Sequence, residues 1–126
     1  MRGLDTGFHM EVREHPEAVL VDLVGDLSRN AQEPSSVFLR DWEEKRSRGS
    51  GFMVLNFTGV PYINSLGIAL LIRLVRTTAK AGNQTFAYGI TPHYQKLFLM
   101  VGLTEYMMVY PDEYSILQRI EALASS

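Results

Sequence analysis

The side chains available for chemistry in this sequence are few. It holds three histidines, His9, His15 and His93, and no cysteine, so thiolate metal sites, thiol nucleophiles and disulfide frameworks are all absent. The histidines lie far apart in the chain and lack the spacing that sets two imidazoles on one helix face to hold a metal. Each therefore reads as a structural or solvated residue. Carboxylates fall mostly on expected helix surfaces and strand edges, with no pair arranged as general acid and base. No glycine-rich segment matches a phosphate cradle of the Walker or Rossmann type. The pattern thus offers no catalytic residue, metal site or cofactor, and the chain reads as a binding protein and not an enzyme. The residue that stands out is Ser65, in the stretch "VPYINSLGIALLIRLV" from Val60 to Val75, where a turn with one proline runs into a long apolar segment.

A serine just ahead of an apolar helical run is a favoured N-cap. Its oxygen accepts a hydrogen bond from one of the N–H groups that a helix start leaves without a partner. The same place suits a phosphate, which adds about −1.5 to −2 charges at the positive end of the helix dipole and leaves the helix intact. On the residues alone both readings stand. Further along, Arg73, Arg76, Thr77 and Lys80 recur at helical spacing, and the same stripe traced back passes Ala69 to reach Leu66 and Ser65. The outer face is therefore small or apolar beside the serine and basic at its far end. It is either a solvated face or a docking patch whose affinity a phosphate controls. An unpaired charge forced into a desolvated contact costs several kcal/mol, against about 1.4 kcal/mol per tenfold in affinity.

The elements that must position this turn follow from periodicity. "FHMEVREH" alternates, with Phe8, Met10 and Val12 on one side and His9, Glu11 and Arg13 on the other, as in a strand with one wet face. "AVLVDLVGD" follows after Pro16 at hairpin separation. "NAQEPSSVFLRDWEEKRSRGSG" reads as a surface helix with Pro34 near its start. Phe38, Leu39 and Trp42 face inward, opposite charges lie four apart at Asp41/Lys45 and Glu44/Arg48, and Gly49 and Gly51 act as stops. "FMVLNF" is a continuous apolar run expected of a central strand covered on both faces.

A helix then spans Ser65 to Ala81, closed by Lys80 and Gly82. "QTFAYGI" returns to strand. Next comes a short helix with Thr91 as cap, Pro92 at its first position, Tyr94, Leu97, Phe98 and Val101 at helical spacing, and Gly102 as stop. "EYMMVY" is a further strand, and "DEYSILQRIEALA" a last helix with Leu117, Ile120 and Leu123 inward. The order ββαβαβαβα gives an α/β domain. An N-terminal hairpin opens a central, mostly parallel sheet, and crossover helices join its strands.

At 126 residues and 46% hydrophobic, the sequence suits one domain over 1–126, with its core at about 8–123. A net charge of −2 with scattered acids and bases gives no stripe suited to direct nucleic-acid binding. The longest apolar run, Leu66 to Ile72, is far short of the ~20 residues of a membrane span, so no direct membrane insertion is expected. "MRGLDTGFHM" lacks the apolar block of a signal peptide, which makes the cytoplasm the expected location. The N-x-T triplets at Asn56 and Asn83 then read as coincidences.

Three segments together resemble the STAS domain family, in particular its bacterial anti-sigma factor antagonists. "LVGDLSRNA" is similar to the family's strand-ending G-[DE]-L-D segment. "VLNFTGVPYINSLGIALLIRL" is similar to its hydrophobic strand, turn and D-S-[ST]-G helix start. "YGITPHYQKLFLMVGLTEYMMVY" is similar to its strand, xPxxxxLFxxxGL helix and closing strand. The resemblance covers nearly the whole chain.

It implies a partner switch. The unphosphorylated antagonist binds an anti-sigma factor, itself a serine kinase, and so releases a sigma factor. Phosphorylation at the helix start disables it, and a serine phosphatase restores it. The matching serine is Ser65. The partner-binding set is then the matched turn Asn64, Ser65, Leu66 and Gly67 with Asp26 and Ser28 from the first segment, together with Ala69, Arg73 and Arg76 from the helix face read by spacing. The sequence departs from the family at Asn64 and Ser28, where aspartate is common, and at Leu66, where serine or threonine is common. The family also supplies scaffold subunits of signalling assemblies and accessory subunits of membrane transporters, and a homo-oligomer of this chain is a further expectation. These are the alternative roles, with a small-ligand sensor more remote.

Overall fold

A computed structural model describes residues 7–45 and 51–125. Five strands form one sheet in the order β1-β2-β3-β4-β5: His9–His15, Ala18–Val24, Phe52–Gly59, Gln84–Tyr88 and Met107–Val109. β1 and β2 are an antiparallel hairpin around Pro16 and Glu17, and every later pair is parallel. Four α-helices connect or follow them: α1 Gln32–Lys45, α2 Ser65–Lys80, α3 Pro92–Met100 and α4 Glu113–Ala124. The expected ββαβαβαβα order is the observed one.

Chirality decides which face each helix covers. A right-handed crossover that steps to the next parallel strand in the same direction always returns over the same face. Residues of α1, α2 and α3 accordingly share one core with Val19, Val21, Leu23, Met53, Leu55, Phe57 and Ala87. The opposite side chains of the same strands, Ala18, Leu20, Val54 and Phe86, form a smaller core with Ile116 and Ile120 of α4. Alternation explains why β2 and β3 read as continuous apolar runs, since both of their faces are covered.

Several expectations shift by a residue or more. β5 is only Met107–Val109, because Leu103–Glu105 forms a 3-10 turn after Gly102, whose φ of +80° ends α3. Ile116 is fully buried on α4, whereas Leu117 and Leu123 only flank the core. Val12 keeps the orientation its alternation gives it but is 48% exposed, since β1 is an edge strand. Asp41 and Lys45 form no ion pair among the described residues. Arg48 and Gly49 lie outside those residues. Of the two N-x-T asparagines, Asn83 is buried, and Asn56 bonds Asp22 and Thr58.

Candidate partner-binding site

The turn before α2 is built by backbone contacts with the loop that follows β2. Leu27 and Ile63 form an isolated parallel bridge. The Leu27 N–H donates to the Tyr62 carbonyl at 2.9 Å, and the Asn64 N–H donates to the Leu27 carbonyl at 3.1 Å. Just upstream, the Gly25 N–H donates to the Gly59 carbonyl at 3.0 Å. These bonds bring the Asp26–Ser28 segment alongside Tyr62 to Asn64, although the two segments are distant in sequence. Gly67 completes the fit. A Cβ there would collide with the Leu27 carbonyl oxygen, so glycine alone lets the first turn of α2 lie against this loop.

The cap is Asn64, not Ser65. Asn64 has extended backbone, and its Oδ1 accepts the Gly67 N–H at 2.9 Å, while its carbonyl accepts the Ile68 N–H at 3.0 Å. Ser65 is the first residue of the helix itself, and it is exposed. The expectation failed because Asn and Ser cap about equally well, and adjacent candidates are separated only by where the backbone leaves the extended region. Asn64 therefore caps the helix with an uncharged side chain. The serine hydroxyl is left unengaged by the cap.

The remaining expected residues fall into three groups. Leu66, 37% exposed, Ala69, Arg73 and Arg76 share the outer surface of α2 with Ser65. Arg73 Nη1 also donates to Ser36 Oγ of α1 at 3.4 Å. Asp26 is exposed, and Ser28 precedes the 3-10 turn Arg29–Ala31, its carbonyl accepting the Ala31 N–H at 2.9 Å. Gly67 is buried and belongs to the scaffold rather than to the surface.

Sequence reasoning did not find Tyr94 or Tyr62. Tyr94, on α3, accepts the Ile63 N–H on its hydroxyl at 3.0 Å and so holds the turn from the other side. Its ring continues into Phe98 and Phe57 through centroid distances of 6.5 and 5.7 Å. Its helical spacing marked it as an inward apolar residue, and nothing in that spacing encodes where the hydroxyl points. Tyr62, 51% exposed, adds an aromatic surface next to Ser65.

A second polar cluster lies on the α4 face. Asp22, Asn56 and Tyr88 are register partners on three adjacent strands. Arg13 Nε and Nη2 donate to the two Asp22 oxygens at 2.9 Å each, and Nη2 and Nη1 donate to Glu113 at 2.7 and 3.3 Å. Tyr88 Oη donates to Glu113 at 2.7 Å, and Asn56 Nδ2 donates to Asp22 at 2.9 Å. The Arg13 guanidinium holds both carboxylates below their ordinary range despite partial burial, and burial followed by Glu113 pushes the Tyr88 phenol up. Two carboxylates do converge here, contrary to the sequence reading. Their oxygens are taken up by Arg13, Asn56 and Tyr88, so the cluster fastens α4 to the sheet.

Among the described residues no group of three metal-ligating side chains occurs, and no helix is long and apolar enough to cross a membrane. The STAS domain model matches residues 9–116. The structure of the Bacillus cell fate determinant SpoIIAA in its phosphorylated form is similar at 25% identity and a TM-score of 0.64, covering 90% of this chain and 99% of that one. RsbS of Moorella thermoacetica, solved as a variant, is similar at 15% identity and a TM-score of 0.77, covering 93% and 98%. The murine anion transporter Slc26a9 is similar at 21% identity and a TM-score of 0.68, covering 87% of this chain but 18% of that one. With its hairpin-led parallel sheet, its three helices on one face and a family match over most of its length, the chain belongs to the STAS domain family.

Proposed function

We propose that this chain is an anti-sigma factor antagonist that works by partner switching. It acts as a cytoplasmic binding module and not as an enzyme. In this reading an anti-sigma factor with serine kinase activity docks on the turn from Tyr62 to Leu66, the adjoining loop at Asp26 and Ser28, and the outer face of α2. Docking displaces a sigma factor, phosphorylation of Ser65 ends it, and a serine phosphatase reverses the modification.

The observation that carries the reading is the division of labour at the start of α2. Asn64 caps the helix, so Ser65 is exposed and free of a structural duty. A phosphate there meets the positive end of the helix and leaves the fold in place. It also puts a charge of about −2 in the middle of a surface made of Tyr62, Leu66 and Ala69, where a desolvated contact would have to exclude it. The relatives whose names carry an antagonist role, SpoIIAA among them, support the same reading.

The test is co-purification from the native cell with mass spectrometry and phosphosite mapping. A sigma-regulating kinase is expected with wild type and with Ser65→Ala, and is expected to be lost with Ser65→Asp. Equal recovery by both variants would sink the phosphoregulatory part. Recovery only of a transporter or of a large homo-assembly would replace the antagonist role with an accessory or scaffold one.

A further inference from the structure

We infer that the C-terminal half of the α2 face is an electrostatic docking strip for an acidic amphipathic surface of the protein partner, separate in action from Ser65. This rests on the proposed partner-binding role of α2, and it specifies the partner's chemistry.

Ala69, Ile72, Arg73, Arg76, Thr77 and Lys80 line a shallow surface depression. Ile72 is half-buried and the three cations are exposed. None of the three has a carboxylate within salt-bridge distance among the described residues. The Ser36 hydroxyl at 3.4 Å from Arg73 is a neutral contact. The chain as a whole carries a net charge of −2, so this strip is a local positive field on an acidic protein.

The shape selects among anionic partners. Duplex nucleic acid needs a broad footprint, commonly about six to ten phosphate contacts, and an anionic membrane needs about four to eight clustered cations on an accessible surface. Three cations around the half-buried Ile72 instead match a helix or loop that sets one apolar side chain on Ile72 and flanks it with carboxylates.

Distance makes the strip independent of the serine. At about 1.5 Å per residue, Ser65 is about 12 Å along the axis from Arg73 and about 22 Å from Lys80. Charges are screened over about 8 Å at physiological ionic strength. A phosphate on Ser65 therefore leaves the strip's attraction in place. The strip governs encounter and salt dependence, and the turn governs whether the encounter lasts.

The experiment is an NMR titration of the isotopically labelled full chain with a short helical peptide that carries a glutamate stripe beside leucines. A lysine-for-glutamate peptide serves as control. Amide shifts are expected over Ala69 to Lys80 with the acidic peptide alone, with affinity falling at least tenfold between 0.1 and 1 M salt. Arg73→Glu/Arg76→Glu should weaken binding at least tenfold, and the milder Arg73→Gln/Arg76→Gln severalfold, with unchanged melting in both. Ser65→Asp should stay within twofold of wild type. Absence of shifts on α2, a Ser65→Asp loss equal to that of the arginine variants, or tighter binding of a DNA duplex or phosphatidylserine vesicles would overturn the inference. No anti-sigma factor is present in this titration, so its failure leaves the Ser65 co-purification result standing, and failure of that result leaves this one standing.

Discussion

Arg13 and Arg76 occupy opposite faces of the same sheet-and-helix sandwich and have opposite surroundings. Arg13 is held by two carboxylates through four hydrogen bonds at 2.7 to 3.3 Å, and its neighbours on β2, β3, β4 and α4 are bonded to one another. Arg76 stands exposed on α2 with no carboxylate at salt-bridge distance among the described residues. Where the polar groups of a face satisfy each other, the face is architecture. Where charged and apolar groups are left to solvent beside a turn anchored by backbone bonds, the face has no internal partner for them, and it is this face on which the proposed docking rests. The α4 side is of the first kind and the α2 side of the second.

The contrast can be broken most severely at Gly67, where α2 lies against the loop that follows β2. Gly67→Ala drives a methyl into the Leu27 carbonyl, and a loss of about 3 kcal/mol or more in urea unfolding is expected, together with loss of partner binding. Arg13→Met comes next. It leaves Asp22 and Glu113 without their cation, and because the arginine side chain is 42% exposed, screening holds the expected cost to about 1–2 kcal/mol at pH 7.

The pH dependence sharpens that expectation. Both carboxylates have folded pKa values below their unfolded ones, so their stabilisation is fully present only above about pH 5, beyond the unfolded values, and is lost as the pH falls through the folded ones. Wild type should therefore show an acid-side decline in stability that is shallower in Arg13→Met, measured as unfolding free energy from pH 6 to pH 2. An equally steep decline in both would mean that Arg13 does not hold these carboxylates.

Smaller effects separate the cap from the switch. Asn64→Ala should cost about 1 kcal/mol through the lost bond to Gly67, whereas Ser65→Ala should change stability by less than about 0.5 kcal/mol. If the serine variant were the more damaging, the assignment of the cap would be reversed. Tyr94→Phe leaves the Ile63 N–H without its acceptor, an expected loss of about 1 kcal/mol visible as faster hydrogen exchange at Ile63. Arg76→Glu should fall within about 0.5 kcal/mol of wild type, since nothing structural depends on it.

The sheet and its helices were legible because each rests on a local rule. Continuous apolar runs marked β2 and β3 as covered on both sides, Thr91-Pro92 marked the start of α3, and Gly82 and Gly102 its neighbour's end and its own. Ser65, Leu66, Ala69, Arg73 and Arg76 were placed on one surface by helical spacing alone. What escaped was whatever depends on two distant segments meeting. The Arg13–Asp22–Glu113 cluster joins β1, β2 and α4, and the Tyr94 hydroxyl reaches Ile63 from another helix. The exchange of roles between Asn64 and Ser65 escaped for a different reason, since it turns on one residue's backbone angles, which side-chain preference cannot resolve.

The strand order 1-2-3-4-5 carries one more consequence. Open α/β sheets usually receive small ligands in a crevice where the winding reverses and the loops of two neighbouring strands part to opposite sides. Here the winding never reverses, so successive loops at the carboxyl ends of the strands lean the same way and close upon one another, as Leu27 does upon Ile63. The crevice that a reversal of winding would open between two such loops is here closed by backbone bonds from Leu27 to Tyr62 and Asn64 and from Gly25 to Gly59.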